Sequence, residues 1–384
     1  MKSKAEVVII GGGVVGCSIA YHLAKNGCKD VVVLERSHLA SGATGRCGAG
    51  VRQQWGTEMN CRLSTGSCRD LENMNEELEY DGDIEFHQGG YLLVAYTEHQ
   101  VEQFRQNVQL QNSLGIASKF LTPREAKEIV PHLNIEPLMA ATFYQKDGHC
   151  NPFHVTQAFA DAARRLGVEI NTFTTVTGIK TENGAVMGVY TDKGEISSNI
   201  VVDAAGGYAD QIAEMAGVKI PSYSERHQIL VTEPVEAFQS CMVMSFHHNT
   251  YCQQSPQGSF IMGLGDFNEP HSHDIMSSWE FLKNMSDKIT AMLPPLRYLR
   301  VIRQWAGLYH LTPDRTPILG NTSQLKGFEM ALGFSGHGFM IAPMTGRLMA
   351  AHILGLDHPD LDILNTLNID RFTKGNLFVE PSVV

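Results

Sequence analysis

The stretch VVIIGGGVVGCSIAYHLAKNG, residues 7–27, decides the fold of this chain. The β-branched run at residues 6–10 predicts a buried parallel strand. A glycine-rich turn follows, and residues 17–27 predict a helix that stops at an Asn-Gly pair. A second β-branched run at residues 31–34 predicts a second strand. Strand, turn, helix and strand in this order predict a Rossmann-like parallel βαβ unit.

The glycines of the turn have the G-x-G-x-x-G spacing, with Gly11, Gly13 and Gly16 at its fixed positions. In such a turn the first glycine allows the sharp bend, and the second lets the backbone approach a pyrophosphate. The third lets helix and strand pack closely. Glu35 lies 19 residues after Gly16, at the end of the second strand, where it can accept hydrogen bonds from ribose hydroxyls. This context predicts a dinucleotide site and leaves NAD and FAD open.

The composition excludes several classes of protein. The chain has 384 residues, 43% of them hydrophobic and 18% charged, which is typical of a folded protein of two or three domains. Its net charge of −11 argues against nucleic acid as a partner. The eight cysteines include no C-x-x-C pair, so we predict no metal site. The chain is large and shows no secretory signal, so we expect reduced thiols and a cytoplasmic protein. Four glycines interrupt the uncharged run at residues 7–24, so we predict no membrane span.

Four sequence blocks, spread over nearly the whole chain, resemble the FAD-dependent D-amino-acid oxidase superfamily. Within it, the chain looks like the branch of sarcosine oxidase β subunits, glycine oxidases and dye-linked L-proline dehydrogenase β subunits. The resemblance implies a noncovalently bound FAD and the oxidation of a small amino acid. The blocks are VVIIGGGVVGCSIAYHLAKNG (7–27) with VVVLER (31–36), ASGATGRCGAGVRQQ (40–54), VVDAAGGYAD (201–210), and the pair RQWAGLYHLTPDRTPILG (303–320) and ALGFSGHGFMIAPMTGRLMA (331–350).

The resemblance and the residue types together predict where FAD binds. The small-residue segment 36–51 would lie along the cofactor, and the apolar strand that starts at 201 would end beside it. The loop at 333–340 would offer backbone amides to the flavin ring, and Val176 would contact the adenine end. The predicted cofactor-binding residues are Gly11, Gly13, Val14, Val15, Gly16, Glu35, Arg36, Ala43, Thr44, Arg46, Gly48, Ala49, Gly50, Val176, Ala205, Gly206, Gly307, Gly333, Gly336, His337, Gly338, Phe339 and Met340.

The predicted fold class is α/β plus α+β, in two domains. A Rossmann-like FAD-binding domain is predicted to be discontinuous, over residues 1–84, 141–220 and 305–384. Strand-like and helical segments at 85–140 and 221–304 predict an antiparallel sheet with helices on one face, which forms a substrate (cap) domain. We expect the substrate pocket between this sheet and the flavin.

An amino-acid substrate needs a buried cation for its carboxylate, and arginine matches a carboxylate with two parallel hydrogen bonds. We predict that Arg52 is this anchor, as the resemblance to monomeric sarcosine oxidase also implies. In dye-linked L-proline dehydrogenases a histidine and a tyrosine contact the substrate, and the resemblance assigns these roles to His227 and Tyr251. A neutral histidine could hydrogen-bond to the substrate or accept the amine proton, and the tyrosine could cap the carboxylate. Tyr309 and His337 complete the predicted catalytic residues.

The chain departs from its family at positions that bear on the reaction. Gly307 stands where monomeric sarcosine oxidase attaches FAD through a cysteine, so that covalent link is excluded. Tyr309 and Met340 stand where relatives have an arginine and a lysine for the carboxylate, and Ile261 lies near the position of an oxygen-activating lysine. A cation beside the flavin stabilises forming superoxide. Its absence therefore predicts a dehydrogenase and not an oxidase.

The predicted function is oxidation of a proline-like or sarcosine-like secondary or N-methyl amine, by hydride transfer to flavin N5, giving an imine. The alternatives are a primary or D-amino-acid enzyme, an NAD-dependent dehydrogenase, and a flavin-bearing subunit that passes electrons to partner subunits. The resemblance also allows a second flavin, FMN, at a subunit interface. His149, in KDGHCNPFHV (146–155), lies near the position where heterotetrameric sarcosine oxidase attaches it, but Cys150 aligns with that position.

Overall fold

The computed structural model describes residues 1–378, 380 and 381. Within these residues the helices are α1 (Val14–Lys25), α2 (Glu58–Glu72), α3 (Met74–Glu77), α4 (Glu98–Ser113), α5 (Pro123–Ile129), α6 (Pro152–Arg165), α7 (Ala209–Met215), α8 (Trp279–Met292), α9 (Gly338–Leu354), α10 (Asp362–Leu367) and α11 (Arg371–Lys374). The strands are β1 (Val7–Ile10), β2 (Val31–Leu34), β3 (Gly50–Val51), β4 (Tyr91–Ala95), β5 (Lys119–Leu121), β6 (Ala140–Tyr144), β7 (Gly148–His149), β8 (Glu169–Asn171), β9 (Val176–Glu182), β10 (Ala185–Thr191), β11 (Gly194–Ser197), β12 (Ile200–Asp203), β13 (Tyr223–Thr232), β14 (Met242–Ser245), β15 (Thr250–Gln254), β16 (Phe260–Leu264), β17 (Val301–Leu311), β18 (Ile318–Asn321) and β19 (Phe328–Leu332).

The first large sheet has six strands in the order β18-β19-β12-β1-β2-β8, parallel except for β18. Helices α1, α6 and α9 cover one face, and the antiparallel sheet β9–β11 with α7 covers the other. Because both faces are covered, β1 and β2 are buried along their whole length, which explains their uninterrupted β-branched runs. The predicted Rossmann-like βαβ unit is confirmed.

The second large sheet has eight strands in the order β17-β13-β16-β15-β14-β4-β6-β5, antiparallel except for the pair β14 and β4. Helices α5 and α8 pack on one of its faces. Side chains alternate along each strand, so Leu92 and Val94 enter the core under these helices, whereas Tyr91 and Leu93 lie on the opposite face. The predicted antiparallel sheet is confirmed, but its helices lie on both faces, because α4 packs through Val101 and Phe104 on the side of Tyr91 and Leu93.

The strand pairing differs from the predicted domain limits at two places. β6 pairs with β4 and β5, and β17 pairs with β13 along its length, so both belong to the eight-stranded sheet. The predicted limits at residues 141 and 305 therefore cut through two strands. An apolar strand has the same sequence pattern whichever sheet it joins, so the pattern alone could not assign these two. We propose that the FAD-binding domain resumes after Tyr144 and after Leu311.

Three further features of the fold bear on the predictions. Helix α9 begins at Gly338, so the last residues of the loop predicted at 333–340 belong to its first turn, where glycine lowers helix propensity. All eight cysteines lie within the described residues, and none forms a disulfide. In the described part of the chain, no helix is long and apolar enough to cross a membrane.

Candidate active site

The glycine-rich turn closes tightly between β1 and α1. Gly11 has a φ angle of +114°, and a Cβ built on it would lie 2.3 Å from the carbonyl oxygen of Ala204. A Cβ on Gly16 would lie 2.0 Å from the carbonyl oxygen of Gly11. Neither position can hold a side chain, so the spacing of these glycines is a requirement of the backbone itself.

The N-terminus of α1 faces this turn, and its N-cap residue has no side chain of its own to cap the helix. Gly13 is the N-cap residue and has extended backbone, and the amide of Val14 donates to Oγ1 of Thr44 at 3.2 Å. The carboxylate of Glu35 accepts a hydrogen bond from the amide of Gly12 at 2.9 Å. A helix N-terminus offers N–H groups and the positive end of a dipole, which together favour a pyrophosphate.

Several of the predicted cofactor-binding residues lie beside Glu35. The guanidinium of Arg36 lies 3.7 Å from the ring centre of Tyr208, which ends the 3₁₀ turn Gly206–Tyr208 directly after Ala205. The amide of Thr174 donates to the carbonyl oxygen of Glu35 at 2.9 Å and so holds the start of β9, with the buried Val176, against the end of β2. Strand ends from three parts of the chain thus meet at one edge of the sheet, where a cofactor binds in such folds.

Arg46 joins the segment after the first βαβ unit to the cap sheet. Its Nε donates to the carbonyl oxygen of Ser41 at 3.2 Å, and its Nη1 donates to that of Ala306 at 3.0 Å. Nε1 of Trp305 donates back to the carbonyl oxygen of Arg46 at 3.0 Å. A Cβ on Gly307 would lie 3.1 Å from Cβ of Arg46, so this position favours a residue without a side chain. These contacts fix the segment that carries the predicted flavin-side residues.

A cavity that opens to solvent lies between the eight-stranded sheet and the N-terminus of α9. Of the predicted catalytic residues, Arg52, Tyr251, Tyr309 and His337 line it. The full lining consists of Cys47, Gly48, Ala49, Gly50, Arg52, Tyr91, Met242, Met244, Tyr251, Tyr309, Ser335, Gly336, His337, Phe339 and Met340.

Arg52 follows β3 and is the cation of the cavity wall. Its side chain is among the most deeply buried of the chain, with 1% of the residue exposed. Burial lowers the pKa of the guanidinium, but an arginine keeps its charge in proteins. Nη1 donates to the carbonyl oxygen of Gln54 at 2.6 Å, and the guanidinium carbon lies 3.9 Å from the ring centre of Trp55. A buried cation at the edge of an apolar cavity can bind one anionic group strongly.

His227 lies behind two tyrosines and is not among the residues that line the cavity. Its Nε2 is 3.4 Å from the hydroxyl of Tyr251, and its ring stacks on that of Tyr309 with centroids 4.2 Å apart. Burial lowers the pKa of His227 to about 4, so the ring is neutral at pH 7. The structure therefore connects His227 to the cavity through Tyr251.

Three tyrosines line the cavity, and each lies against a glycine. A Cβ built on any of these glycines would lie 1.8 to 2.6 Å from the tyrosine side chain. Because a Cβ cannot approach so closely, any larger residue would displace the ring. The pairs are Gly50 with Tyr91, Gly263 with Tyr251, and Gly336 with Tyr309.

The loop before α9 forms the other wall. Gly333 and Gly336 have φ angles of +72° and +91°, which favour glycine. His337 is the N-cap residue of α9, and burial together with the charge of Arg52 lowers its pKa to about 3. Phe339 and Met340, in the first turn, line the cavity. The N-terminal end of the helix dipole thus points towards the space between the predicted flavin-binding segments.

Sequence reasoning missed several residues of the site. Tyr91, Met242 and Met244 line the cavity because alternation on β4 and β14 puts them on the same face as Tyr251. The alternating pattern is visible in the sequence, but it does not reveal which face of the sheet lies towards the cofactor. Asp147 was also missed. This carboxylate is fully buried, and desolvation raises its pKa to about 7.

The residues present fit FAD. Because a Cβ would collide with backbone at Gly11 and Gly16, both positions are glycine, and no side chain covers the backbone there. This leaves the N-terminus of α1 open to a pyrophosphate. Glu35 and Arg36 lie where they would meet the ribose and adenine. Gly48, Gly50 and Gly336 contribute backbone without side chains to the cavity wall. Among the described residues, no group of three or more His, Cys, Asp or Glu side chains could hold a metal ion.

The fold and the site define a flavin-dependent oxidoreductase. The sequence model of the family described as FAD dependent oxidoreductase matches residues 6–352 of this chain. The chain belongs to this family, so FAD is its cofactor and amino-acid or amine oxidation is its chemistry.

Particular relatives narrow the comparison. The chain is 31% identical to the sarcosine oxidase subunit beta of Arthrobacter sp. over 386 residues, which cover 99% of this chain and 94% of the relative. Among solved structures, the L-proline dehydrogenase of P. horikoshii shares 38% identity with a TM-score of 0.92, covering 98% of this chain and 100% of that one. Glycine oxidase of Bacillus cereus ATCC 14579 shares 25% identity with a TM-score of 0.81, covering 94% of this chain and 98% of that one. The similarity therefore extends over whole chains.

The buried state of His227 predicts a pH dependence of stability. Between its ordinary pKa of 6.5 and its folded pKa of about 4, the unfolded chain binds a proton that the folded chain does not. Stability of the wild type should therefore fall, relative to His227→Phe, as pH falls through this window, by up to about 3 kcal/mol. Urea unfolding between about pH 7 and pH 4 measures the difference. The prediction would be contradicted if the free energies of unfolding of the two proteins changed in parallel with pH. His99→Phe, at an exposed site, is the control.

Proposed function

We propose that this enzyme oxidises a small α-amino acid with a secondary or N-methyl amine, such as proline or sarcosine, to the corresponding imine. The observation that carries the proposal is the buried Arg52 in a cavity whose other walls are aromatic side chains, methionines and glycine backbone. FAD, when bound, supplies the acceptor for the substrate's hydride at flavin N5. The relatives named sarcosine oxidase and L-proline dehydrogenase support the same substrate class.

Arg52 would bind the substrate carboxylate. It is placed at one end of the cavity by β3, and Nη1 is already held by the carbonyl oxygen of Gln54. The planar guanidinium carries five N–H donors in a fork whose geometry matches a carboxylate. The hydroxyl groups of Tyr251 and Tyr309 lie on the same cavity wall and would donate to the carboxylate or to the amine.

The apolar side chains would select the body of the substrate. Met242, Met244, Tyr91 and Phe339 line the cavity and offer no charged partner for a second carboxylate or an ammonium group. A compact ring or an N-methyl group fits such walls, whereas a charged side chain would lose its hydration without compensation. We therefore favour proline-like and sarcosine-like substrates, with primary and D-amino acids as the alternative.

Hydride transfer requires a neutral amine, so a proton must leave the substrate. His227 is neutral at pH 7 and lies 3.4 Å from the hydroxyl of Tyr251. We propose that the amine gives up its proton to solvent as the substrate binds, and that its N–H then donates to the hydroxyl of Tyr251, which would donate in turn to Nε2 of the neutral His227. The imine product is released or hydrolysed by water.

We propose that the electrons leave to an acceptor other than oxygen. Among the described residues, no lysine lines the cavity, and Ile261 lies in β16 outside the lining. A cation beside the flavin would stabilise forming superoxide, and Arg52 is occupied by the carboxylate in this proposal. The relative named sarcosine oxidase subunit beta works as a subunit, which supports partner subunits as the route for electrons. Noncovalent FAD, an FMN at a subunit interface and a cytoplasmic location remain part of the proposal.

The test is anaerobic reduction of the purified yellow protein. The flavin absorbance is followed with L-proline, D-proline, sarcosine, glycine and hydroxyproline in turn, and air is then admitted. We expect bleaching by a secondary or N-methyl amine and slow recovery in air. Fast recovery would contradict the dehydrogenase assignment. Bleaching by glycine or D-proline alone would favour the primary or D-amino-acid alternative, and no bleaching would contradict the proposed substrate class.

A further inference from the structure

The residues that follow Arg52 fold into a tight turn around its side chain. The four residues 52–55 have the sequence RQQW. The guanidinium carbon lies 3.9 Å from the ring centre of Trp55, and Nε1 of Trp55 donates to the carbonyl oxygen of Arg52 at 2.9 Å. Nη1 of Arg52 donates to the carbonyl oxygen of Gln54 at 2.6 Å. The cation is therefore held between an aromatic face and a backbone carbonyl of its own turn.

Asp147 anchors this turn from outside. One oxygen of its carboxylate accepts from the backbone amide of Gln53 at 2.7 Å, and the other accepts from Nε2 of Gln54 at 2.9 Å. The Gln54 side chain also accepts from Oγ1 of Thr142 at 2.8 Å and donates to the carbonyl oxygen of Tyr91 at 3.0 Å. Asp147, Gln54 and Thr142 are all buried. The turn is thus bonded to two strands of the cap sheet by a closed polar network.

Trp55 also connects the turn to the opposite wall of the cavity. Its ring meets that of His337 edge to face, with centroids 4.6 Å apart. Its carbonyl oxygen accepts from Nε2 of Gln111 at 2.8 Å, and 1% of the residue is exposed. A ring fixed on several sides cannot rotate away from the guanidinium, so it sets the height and tilt of the cation relative to the loop before α9.

We propose that Trp55 and Asp147 are positioning residues that orient the Arg52 guanidinium for the substrate carboxylate. The inference rests on the proposed function, because it assumes that Arg52 binds that carboxylate. A long arginine side chain loses rotamer freedom when it binds a ligand, and a turn that orders it beforehand removes that cost from binding. The two residues therefore act on substrate affinity and not on hydride transfer.

The experiment compares Trp55→Phe and Asp147→Asn with the wild type and, separately, in an Arg52→Met background. The readouts are KM and kcat with an artificial electron acceptor, FAD content and Tm. We expect each variant to raise KM roughly fivefold to tenfold with little change in kcat in the wild-type background. In the Arg52→Met background the same changes should leave kcat/KM nearly unaltered, since there is no cation to position. Trp279→Phe, at an exposed tryptophan, is the matched control.

Binding of cyclopentanecarboxylate, read from the perturbed flavin absorbance, gives the same comparison without turnover. This ligand carries a carboxylate on an apolar ring and no amine to oxidise. The positioning role would be overturned if Trp55→Phe and Asp147→Asn weakened binding by equal factors in the wild-type and Arg52→Met backgrounds. A fall in kcat with KM unchanged would overturn it too. Either result would leave the proposed function standing. If Arg52→Met itself changed neither KM nor the binding of cyclopentanecarboxylate, the proposed role of Arg52 would fail, and the inference with it.

Discussion

The Arg52→Met variant is expected to lose about a thousandfold in kcat/KM for its amino-acid substrate while it keeps its FAD. Methionine fills a similar volume, so the cavity wall stays apolar and packed. The substrate carboxylate would then enter a buried site without a partner, at a cost of about 4 kcal/mol. Arg52 has 1% of its surface exposed, so water cannot replace the lost cation.

The measurement is steady-state turnover with an artificial acceptor, together with the FAD content of each preparation. The kcat/KM of Arg52→Lys should lie between the values of the wild type and of Arg52→Met, because an ammonium keeps the charge but not the paired N–H geometry. Arg105→Met is the matched control, since this arginine also lies over an aromatic ring, Phe120, at 4.2 Å but is exposed on α4. Retention of kcat/KM within a factor of about three in Arg52→Met would exclude a buried charge pair.

The Gly13→Asp variant is expected to fold and to be colourless. Gly13 caps α1 with extended backbone, and the nearest contact of a built Cβ is Oγ1 of Thr44 at 3.2 Å, so an aspartate can be accommodated. Aspartate is a favourable N-cap residue and complements the helix dipole, so the apoprotein should not be less stable. Its carboxylate would occupy the place of the pyrophosphate. Repulsion of about 4 kcal/mol at roughly 4 Å would lower FAD affinity by about a thousandfold.

Flavin absorbance after purification, titration of the apoprotein with FAD, and circular dichroism together test this prediction. Gly13→Ser is the matched control, because serine also caps a helix but carries no charge, and it should keep much of its FAD. A yellow Gly13→Asp protein would place the pyrophosphate elsewhere. An unfolded one would show that the turn rejects any side chain at this position, as Gly11 and Gly16 do on the geometry of their backbone.

The elements predicted from the sequence agree best with the structure in the first 35 residues. The two strands match their predicted bounds within one residue, whereas α1 runs from Val14 to Lys25 and not over residues 17–27; all three were found because each depends on neighbours in the chain. Arg52, Tyr251, Tyr309 and His337 were also selected in advance, through the family resemblance, and the fold brings them to one cavity. His227 is also among the predicted catalytic residues. Its ring packs behind Tyr251 and Tyr309, so the structure connects it to the cavity only indirectly.

Other parts of the site carried no local signal. Met242 is next to Tyr91 in the register of β14 and β4, two strands that are far apart in sequence. Asp147 lies in a motif that had suggested a second flavin, and its bonds to Gln53 and Gln54 join residues 93 or more positions apart. A buried carboxylate looks the same in a sequence as an exposed one, because its partners are set by strand pairing.

The sequence by itself determined the dinucleotide fold and the cofactor class. The spacing of Gly11, Gly13 and Gly16 is required by backbone contacts within a short segment, so it can be recognised without knowing what surrounds it. Only the tertiary structure decided which face of the cap sheet meets the flavin, which side chains line the cavity, and how Trp55 and Asp147 hold Arg52. Those features depend on the register of strands that are distant in sequence, and an alternating apolar pattern is equally consistent with a core and with a pocket.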